Sequence, residues 1–208
     1  MARNRWMDEH FADPYVKRAQ AEGYRSRAAY KLMEIDARDR LIHPDSVIAD
    51  LGCAPGGFAQ YAAHKLGPTG RLVAVDILPM DPLPGVVFIQ GDFTEPDCDQ
   101  AVRAALGDRV DLVISDMAPN ISGIGASDQA RAMGLAEIAL DFAVSCLTRE
   151  GRCLIKVFQG AGFPELLADM RCRFQRVATR KPSASRPRSP EVYLLGTGLR
   201  PVVSGPES

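Results

Sequence analysis

Hydrophobic positions along the chain follow two spacings, which divide it into short apolar runs and longer amphipathic segments. Strands are predicted at residues 46–50, 71–76, 86–90, 110–115, 152–158, 174–180 and 191–196. Helices are predicted at residues 8–20, 27–40, 57–67, 96–106, 128–148 and 163–173. Because strands buried on both faces form unbroken apolar runs, this alternation predicts an α/β fold, a mostly parallel sheet with helices on both faces.

The last two predicted strands differ from the others because no helix separates them. Only the polar segment 181–190, which is rich in proline and arginine, joins 174–180 to 191–196. We therefore predict that they form an antiparallel hairpin at the end of a seven-stranded sheet. The final residues, 201–208, are predicted to be a disordered tail. With 208 residues, of which 46% are hydrophobic, the chain suits one core and one domain.

A glycine-rich turn after the first strand carries the strongest chemical signal. It begins at Asp50 and reads Asp-Leu-Gly-Cys-Ala-Pro-Gly-Gly-Phe. Gly52, Gly56 and Gly57 allow a ligand to approach the backbone closely, and the N-terminus of the following helix directs its amides there. Pro55 fixes the turn, and the glycine spacing differs from the G-x-G-x-x-G pattern of nicotinamide and flavin binding. An acid in such a turn is typical of an S-adenosylmethionine site.

Carboxylates stand at the ends of four strands of the predicted parallel sheet. They are Asp50, Asp76, Asp92 and Asp116. Ligands of such sheets bind beyond the carboxyl ends of the strands, so these acids are candidate cofactor contacts. Asp76 offers paired acceptors for two ribose hydroxyls, and Asp92 offers an acceptor for an adenine amino group. Phe58 and Phe93 are candidates either to flank the adenine ring or to belong to the core.

Two further segments provide groups for proton transfer. Ser-Asp-Met-Ala-Pro-Asn follows the fourth strand and includes Asp116, and Ile-Lys-Val-Phe-Gln-Gly ends the fifth and includes Lys156. A lysine within an apolar strand is costly unless its ammonium group reaches a partner or a cleft. We expect Asp116 to emerge beside Lys156 and to be that partner. The alternative is a lysine that extends along apolar surface to solvent at the strand end.

These segments, with two others, resemble the FtsJ/RrmJ family of ribosomal RNA 2′-O-ribose methyltransferases over residues 6–200. The two others are Tyr-Arg-Ser-Arg-Ala-Ala-Tyr-Lys-Leu, from Tyr24, and Ser-Arg-Pro-Arg-Ser-Pro-Glu-Val-Tyr, from Ser185. The resemblance implies a Rossmann-like class I methyltransferase domain over residues 1–200, with residues 1–44 forming a helical part that faces RNA. The sequence departs from the family pattern at Phe58, where many bacterial members carry tryptophan.

The resemblance also implies a catalytic Lys-Asp-Lys-Glu tetrad. In this chain the tetrad falls on Lys31, Asp116, Lys156 and Glu191. We expect Lys156 to remove the proton of a ribose 2′-hydroxyl and Asp116 to hold the resulting ammonium group. Lysine is a base only when uncharged, a state that burial and nearby positive charge favour. Lys31 and Glu191 would then position the ribose and balance charge. The family's cofactor contacts fall on Gly56, Phe58, Asp76, Asp92 and Asp116.

Charge is distributed unevenly along a chain whose net charge is −1. Residues 171–200 contain eight basic side chains and one acid, whereas residues 76–116 contain nine acids and two arginines. This pattern indicates either one basic face for phosphates or ordinary solvated charge. Arginines near the outer members of the tetrad are the candidate RNA contacts, and such contacts position RNA without reading its sequence. They are Arg25, Arg27, Arg186 and Arg188.

Composition bears on the location of the protein, on metal binding and on its oligomeric state. No apolar run approaches the roughly 18 residues of a membrane span, and the N-terminus lacks a signal core, so we expect a cytoplasmic protein without membrane contact. Five cysteines without a C-x-x-C pair and three scattered histidines predict no metal site. The absence of an obvious apolar stripe favours a monomer.

The resemblance implies that the substrate is a specific nucleotide, with a uridine expected, in the 23S ribosomal RNA of the large ribosomal subunit. Two alternatives remain open from the sequence. Related enzymes with the same tetrad modify transfer RNA or messenger RNA caps. A protein of another class, an RNA-binding module that binds S-adenosylmethionine without catalysis, would have no need for a lysine within the strand.

Overall fold

The elements follow the predicted alternation of strands and helices. The computed structural model describes residues 13–107, 109–119, 122–123, 125–186 and 188–201. Its helices are α1 (Pro14–Glu22), α2 (Ala28–Asp39), α3 (Gly57–Lys65), α4 (Pro96–Leu106), α5 (Gly125–Cys146) and α6 (Phe163–Arg173). Its strands are β1 (Val47–Leu51), β2 (Arg71–Asp76), β3 (Val86–Gln90), β4 (Val110–Ser115), β5 (Leu147–Phe158), β6 (Phe174–Arg180) and β7 (Glu191–Leu199).

All seven strands form one sheet, in the order β3-β2-β1-β4-β5-β7-β6. The strands from β3 to β5 are parallel to their neighbours, and β7 is antiparallel to both β5 and β6. The predicted fold class, a mostly parallel seven-stranded sheet with a C-terminal antiparallel hairpin, is confirmed. The strand order reverses between β1 and β4, and such a switch point opens a crevice beyond the carboxyl ends of the two strands.

Two apolar cores cover the two faces of the sheet, because successive residues of a strand point to opposite sides. In β1, Ile48 belongs to the core beneath α2 and α3. Its neighbours Ala49 and Leu51 belong to the core beneath α4, α5 and α6. Burial on both faces explains why the central strands are apolar without alternation.

Several element boundaries differ from the sequence predictions. Strand β5 begins at Leu147, earlier than predicted, because Leu147 pairs with Val110 across an irregularity in the ladder, ahead of a polar stretch. Helix α1 begins at Pro14, with the Asp13 carboxylate accepting a hydrogen bond from the Tyr15 amide at 2.9 Å. Residues 8–12 of the predicted first helix lie outside the described residues, as does all of the predicted tail except its first residue.

Helix α2, which carries Lys31, is attached to the sheet at its C-terminal end by charged groups. Arg180 of β6 donates from two nitrogens to the Asp39 carboxylate, at 2.7 and 2.6 Å. Arg152 of β5 donates to the backbone oxygens of Asp39 and Arg40. These contacts fix the end of α2 against β5 and β6 and so determine where Lys31 lies.

Candidate active site

A cleft of about 360 Å³ opens at the carboxyl ends of β1, β2 and β4. Five of the residues predicted as cofactor contacts line it, and they come from four separate segments of the chain. They are Gly52, Asp76, Asp92, Phe93 and Asp116. We call this cavity the first cleft. It lies at the switch point of the sheet, where ligands of parallel α/β folds bind.

Asp76 presents its carboxylate to the first cleft in a fixed orientation. One oxygen accepts a hydrogen bond from the Ala54 amide and the other from the Leu78 amide, each at 2.8 Å. Each carboxylate oxygen has a second lone pair, so the pair of oxygens is still able to accept from a diol. Beside it, Ile77 and Leu78 are 55% and 58% exposed and line the cleft, although large apolar side chains favour burial.

Asp92 and Phe93 form another part of the first cleft. The Thr94 hydroxyl and amide donate to one Asp92 oxygen at 2.6 and 2.9 Å. These hydrogen bonds lower the pKa of Asp92, so the carboxylate stays ionised at neutral pH. The Phe93 ring packs edge-on against Phe142, with 5.0 Å between ring centroids, and is 7% exposed. This part of the cleft therefore offers an acceptor next to a flat apolar surface.

The glycine turn is packed so closely that none of its three glycines leaves room for a side chain, and a Cβ atom at Gly57 would lie 2.2 Å from the Ser26 hydroxyl oxygen. Gly52 has φ +78°, and a Cβ atom there would lie 2.5 to 2.9 Å from atoms of Met117. Gly56 has φ +105°, and its Cβ would lie 2.8 Å from the Met80 sulfur. Residues with side chains rarely adopt these φ values, so both positions require glycine on conformational and steric grounds.

A second cleft, of about 270 Å³, lies beside the first. Lys31 lines it, together with parts of the glycine turn and the segment before α2. Pro55, Gly57 and Phe58 line this second cleft and not the first. Asp116 lines both clefts, so a single carboxylate faces two neighbouring binding spaces.

Two of the predicted cofactor contacts are buried and lie outside the lining of the first cleft. Phe58 is 2% exposed and packs against the Tyr193 ring, with 6.1 Å between centroids, so it belongs to the core and does not flank a ring in the first cleft. Asp50 is fully buried and lines neither cleft. Neither of its carboxylate oxygens has a hydrogen-bond partner among the described residues. Burial, followed by the negative charges of Asp116 and Asp76, raises the pKa of Asp50 well above its ordinary value.

The four tetrad residues form two buried ion pairs. Lys156 Nζ lies 3.1 Å from Asp116 Oδ1 and also donates to the backbone oxygen of Asp116. Lys31 Nζ lies 2.7 Å from Glu191 Oε1. None of the four side chains is more than 19% exposed. Each lysine therefore reaches a carboxylate, as the sequence predicts for Lys156, and does not extend along the surface to solvent.

Tyr193 connects the two ion pairs, although it was not among the site residues predicted from the sequence. Its hydroxyl donates to Asp116 Oδ1 at 2.7 Å, and Lys31 Nζ lies 5.7 Å from the centroid of its ring. It also stands opposite Lys156 in the antiparallel pairing of β5 and β7. The available signal was strand periodicity, because Glu191 and Tyr193 are two residues apart and so point to the same face.

Electrostatics keep Asp116 ionised. Burial alone would raise the pKa of this carboxyl group. The positive charges of Lys156 and Lys31, with hydrogen bonds from Tyr193 and Lys156, outweigh burial and hold the pKa below its ordinary value. On the other side of the tetrad, the Ser185 hydroxyl donates to Glu191 Oε1 at 2.8 Å, so this carboxylate has two partners.

The candidate RNA-binding arginines divide into two groups. Arg25 donates to three backbone carbonyls, and the 17% exposed Arg27 pairs with Asp13 and donates to the Ala184 carbonyl, so both guanidinium groups are used within the fold. This differs from the prediction that they contact phosphate. Arg186 is 35% exposed, 3.9 Å from Asp13, and Arg188 lies at the surface.

Other ligand classes find less support within the described residues. No group of three or more His, Cys, Asp or Glu side chains there is arranged to hold a metal ion. No helix of the described part of the chain combines the length and the apolar character that crossing a membrane requires.

Known proteins that are similar in sequence to this chain are methyltransferases. The family model for FtsJ-like methyltransferases matches residues 24–199. The ribosomal RNA large subunit methyltransferase E of Stenotrophomonas maltophilia (strain R551-3) is 59% identical over 197 residues, which are 94% of each chain. The protein of the same name from Marinobacter nauticus is 56% identical and is matched over 95% of this chain and 96% of its own.

Solved structures show the same fold. A ribosomal RNA methyltransferase of Plasmodium falciparum superimposes with a TM-score of 0.75 at 27% identity, covering 85% of this chain and 98% of that one. Human methyltransferase-like protein 13, solved with SAH, has a TM-score of 0.58 at 16% identity over 84% of each chain, a likeness of fold alone. The family match includes every segment that forms the two clefts and the tetrad, and the chain therefore belongs to the FtsJ-like methyltransferase family.

Proposed function

We propose that this protein transfers a methyl group from S-adenosylmethionine to the ribose 2′-hydroxyl of a nucleotide in the RNA of the large ribosomal subunit. The observation that carries the proposal is the position of Asp116. It lines both clefts and pairs with Lys156, so the partner of the base stands where a cofactor and an acceptor would meet, with the base 3.1 Å behind it. The names of the bacterial relatives support ribosomal RNA of the large subunit as the substrate.

The residues of the first cleft fit S-adenosylmethionine. Asp76 keeps free lone pairs for a ribose diol, and Asp92 has an oxygen for which the described residues provide no hydrogen bond. Exposed Ile77 and Leu78 would be covered by the apolar face of the adenine ring, which removes their surface from water. When bound, the cofactor supplies a methyl group that its sulfonium makes electrophilic.

Lys156 acts as the general base. A ribose 2′-hydroxyl is a poor nucleophile, so its proton must leave as its oxygen forms the new bond to carbon. Lys156 first releases its own proton to solvent, and its uncharged Nζ then takes the hydroxyl proton and is again an ammonium group 3.1 Å from the Asp116 carboxylate. Asp116 Oδ1, the same oxygen that faces Lys156, also accepts a hydrogen bond from the Tyr193 hydroxyl, so the partner of the new charge is oriented before the reaction.

Lys31 and Glu191 act on the acceptor side. Lys31 lines the second cleft, where the acceptor nucleotide binds, and Glu191 holds its ammonium group at 2.7 Å. The Ser185 hydroxyl fixes Glu191 in turn. Lys31 therefore presents a positioned donor to the ribose oxygens, and much of the rate enhancement comes from this alignment of the reacting atoms.

RNA is held by the basic surface next to the second cleft. Arg186 and Arg188, in segment 181–190, provide phosphate contacts that do not depend on base identity. With a net charge of −1, the chain binds naked RNA weakly, and the folded particle provides the remaining recognition. A ribosomal substrate implies that the protein acts in the cytoplasm, and the absence of an obvious apolar stripe in the sequence favours a monomer.

Transfer of a labelled methyl group tests this function. The acceptors are large ribosomal subunits from cells lacking the protein, free ribosomal RNA and transfer RNA. Lys156→Ala is compared with the wild type and with Lys65→Ala, which removes an exposed lysine of α3. We expect label on the subunits with the wild type and the Lys65 variant, and loss by at least about 100-fold in Lys156→Ala.

The outcomes separate the alternatives. Label on transfer RNA alone would keep the chemistry and replace the substrate. Binding of S-adenosylhomocysteine without label on any RNA would favour an RNA-binding module that does not catalyse transfer. Near-normal transfer by Lys156→Ala would contradict the assignment of the base.

A further inference from the structure

The segment that joins β2 to β3, residues 77–85, forms the outer wall of the first cleft. Ile77 and Leu78 line the cleft directly. Further along, the Met80 sulfur lies 3.9 Å from the Cys53 sulfur and occupies the space above Gly56. The wall therefore rests against the glycine turn at the end of β1.

The composition of this wall leaves its backbone with few hydrogen-bond donors. Residues 77–85 read Ile-Leu-Pro-Met-Asp-Pro-Leu-Pro-Gly, and proline has no amide hydrogen to donate. Prolines at 79, 82 and 84 thus prevent a regular backbone ladder across this stretch. The carbonyl groups of the wall need a donor from elsewhere in the fold.

Arg25 is that donor. Its Nη1 donates to the Asp81 carbonyl at 2.6 Å, and its Nη2 donates to the Pro82 carbonyl at 2.8 Å. Nη1 also lies 3.4 Å from the Pro55 carbonyl of the glycine turn. A planar guanidinium group presents several donors in one rigid fork, so Arg25 connects the wall to the turn that it rests on.

The backbone of Arg25 is fixed as well. Its amide donates to the Gln60 side chain of α3 at 2.9 Å, and Gln60 donates in turn to the Gly23 carbonyl at 2.8 Å. The same segment continues into α2, which carries Lys31 of the second cleft. Arg25 therefore connects the acceptor side of the site with the cofactor side.

We propose that Arg25 is a positioning residue for the cofactor, which holds residues 77–85 closed against the glycine turn. This inference rests on the proposed function, because it assigns S-adenosylmethionine to the first cleft. It replaces the prediction that Arg25 contacts RNA phosphate, because two nitrogens of the guanidinium group are already committed to the wall.

Cofactor binding by Arg25 variants tests the proposal. Arg25→Gln and Arg25→Lys are compared with the wild type and with Arg176→Gln, an exposed arginine of β6. We expect Arg25→Gln to weaken S-adenosylhomocysteine binding about tenfold in titration calorimetry, because the wall loses charged hydrogen bonds. Arg25→Lys retains only part of the wild-type affinity, since an ammonium group lacks the planar, forked arrangement of donors that a guanidinium group has.

Kinetics distinguish positioning from a general structural role. With large subunits as acceptor, Arg25→Gln raises KM for S-adenosylmethionine about tenfold and leaves kcat at saturating cofactor within about twofold, because ligand restores the closed wall. Hydrogen exchange without any cofactor provides the second readout. The Leu78 amide, which donates to the Asp76 carboxylate at 2.8 Å, exchanges faster in the variant, and the amides of β1 and β4 are unchanged.

Three results would overturn the proposal. Unchanged S-adenosylhomocysteine affinity in Arg25→Gln would remove the link to the cofactor. Unchanged exchange in residues 77–85 would show that the wall is held without Arg25. Weaker RNA binding with normal cofactor affinity would restore the phosphate contact. Failure of the proposed function looks different, because the wild type itself would then bind no S-adenosylhomocysteine or transfer no methyl group.

Discussion

Lys156 and Asp116 are charged groups that the fold removes almost completely from water. Their side chains are 7% and 19% exposed, and burial of an isolated charge is strongly unfavourable. Pairing makes this burial tolerable, and it also makes loss of one partner more damaging than loss of both. The same reasoning applies to Lys31 and Glu191, at 10% and 12% exposure. The catalytic geometry proposed above and the stability of the fold thus depend on the same contacts.

Tyr193→Phe tests whether the orientation of Asp116 matters for turnover. The variant keeps the ring and removes only the hydroxyl that donates to Asp116 at 2.7 Å. We expect kcat to fall about tenfold while cofactor affinity stays normal, because about 1.4 kcal/mol of hydrogen bonding is lost at the partner of the base. Steady-state methyl transfer provides the measurement.

Tyr61→Phe is the matched control for that substitution. The Tyr61 hydroxyl donates at 2.8 Å to Asp36, another buried carboxylate that lines neither cleft. It should lower the melting temperature without lowering kcat. Equal losses of turnover in the two variants would mean that the Tyr193 contact is structural only.

Asp50→Asn should stabilise the fold, and this gain in unfolding free energy should grow as pH rises. Because the pKa of Asp50 is raised above its ordinary 3.8 in the folded state, the unfolded chain loses this proton first as pH rises. The wild type therefore loses up to about 1.4 kcal/mol of unfolding free energy per pH unit above that value, until the folded-state pKa is passed. The Asn variant lacks this titration.

Urea denaturation of both proteins from pH 5 to pH 8, without cofactor, measures the difference. We expect the Asn variant to gain stability relative to the wild type as pH rises. Parallel curves would mean that Asp50 is ionised in the folded protein, with a partner that the fold does not show among the described residues.

Residue roles were predictable where they follow from a strand end. Asp76, Asp92 and Asp116 could be placed in one cleft because apolar runs reveal where strands stop. Arg25 and Phe58 could not, because their roles depend on segments distant in the chain. Proximity to Lys31 suggested a phosphate contact for Arg25, whereas its acceptors lie in residues 77–85.

The position of helix α2 also depends on a segment that is distant in the chain. It positions Lys31, and its C-terminal end is held by the Asp39–Arg180 pair, in which both side chains are 15% exposed. The Arg180 hydrogen bonds are the main cause of the lowered pKa of Asp39. A group with a lowered folded-state pKa stabilises the fold above the ordinary carboxyl pKa, and this stabilisation is lost as pH falls through the folded-state value.

A double-mutant cycle with Asp39→Asn and Arg180→Gln measures this attachment. We expect a coupling free energy of about 1–2 kcal/mol at pH 7, because the pair is bidentate and largely shielded from solvent. The control cycle uses Arg18 and Glu22 of α1, which are 54% and 41% exposed. Coupling there should not exceed about 0.5 kcal/mol. Equal couplings in the two cycles would contradict a special role for the α2 attachment.

Elements themselves were predictable from periodicity to different degrees. The central strands were found because burial on both faces removes polar residues from them. The start of β5 was missed, because Thr148, Arg149 and Glu150 interrupt the apolar run, although Leu147 already pairs with Val110 ahead of the irregularity. Pairing partners of that kind are long-range, and local sequence does not encode them.

In the whole molecule, the two clefts and the basic segment 181–190 lie at the same end of the sheet. Segment 181–190 leads directly into β7, whose first residue, Glu191, pairs with Phe158 at the carboxyl end of β5. Arg186 and Arg188 belong to this segment, which Glu34 holds against α2 through the Ser183 amide at 2.8 and 3.0 Å. RNA that contacts these arginines is therefore close to the second cleft. This arrangement connects nonspecific phosphate binding to the site of methylation.

Substitution of both arginines by glutamine should reduce the salt dependence of RNA binding. Each lost phosphate contact lowers the slope of log K against log salt by about 0.7 to 0.9. The control, Arg109→Gln with Arg149→Gln, makes the same charge change near the opposite ends of β4 and β5. We expect the slope of this control to match that of the wild type. An equally reduced slope in both double variants would mean that RNA binding depends on total charge.

Methylation of a ribose oxygen is distinguished from methylation of a base by the chemical position of the added methyl group. Large subunits from cells lacking the protein are treated with the wild type or with Lys156→Ala, and their RNA is digested to nucleosides for mass spectrometry. We predict one new 2′-O-methylated nucleoside with the wild type and none with the variant. A methyl group on a base, or the same ribose product with Lys156→Ala, would contradict the account.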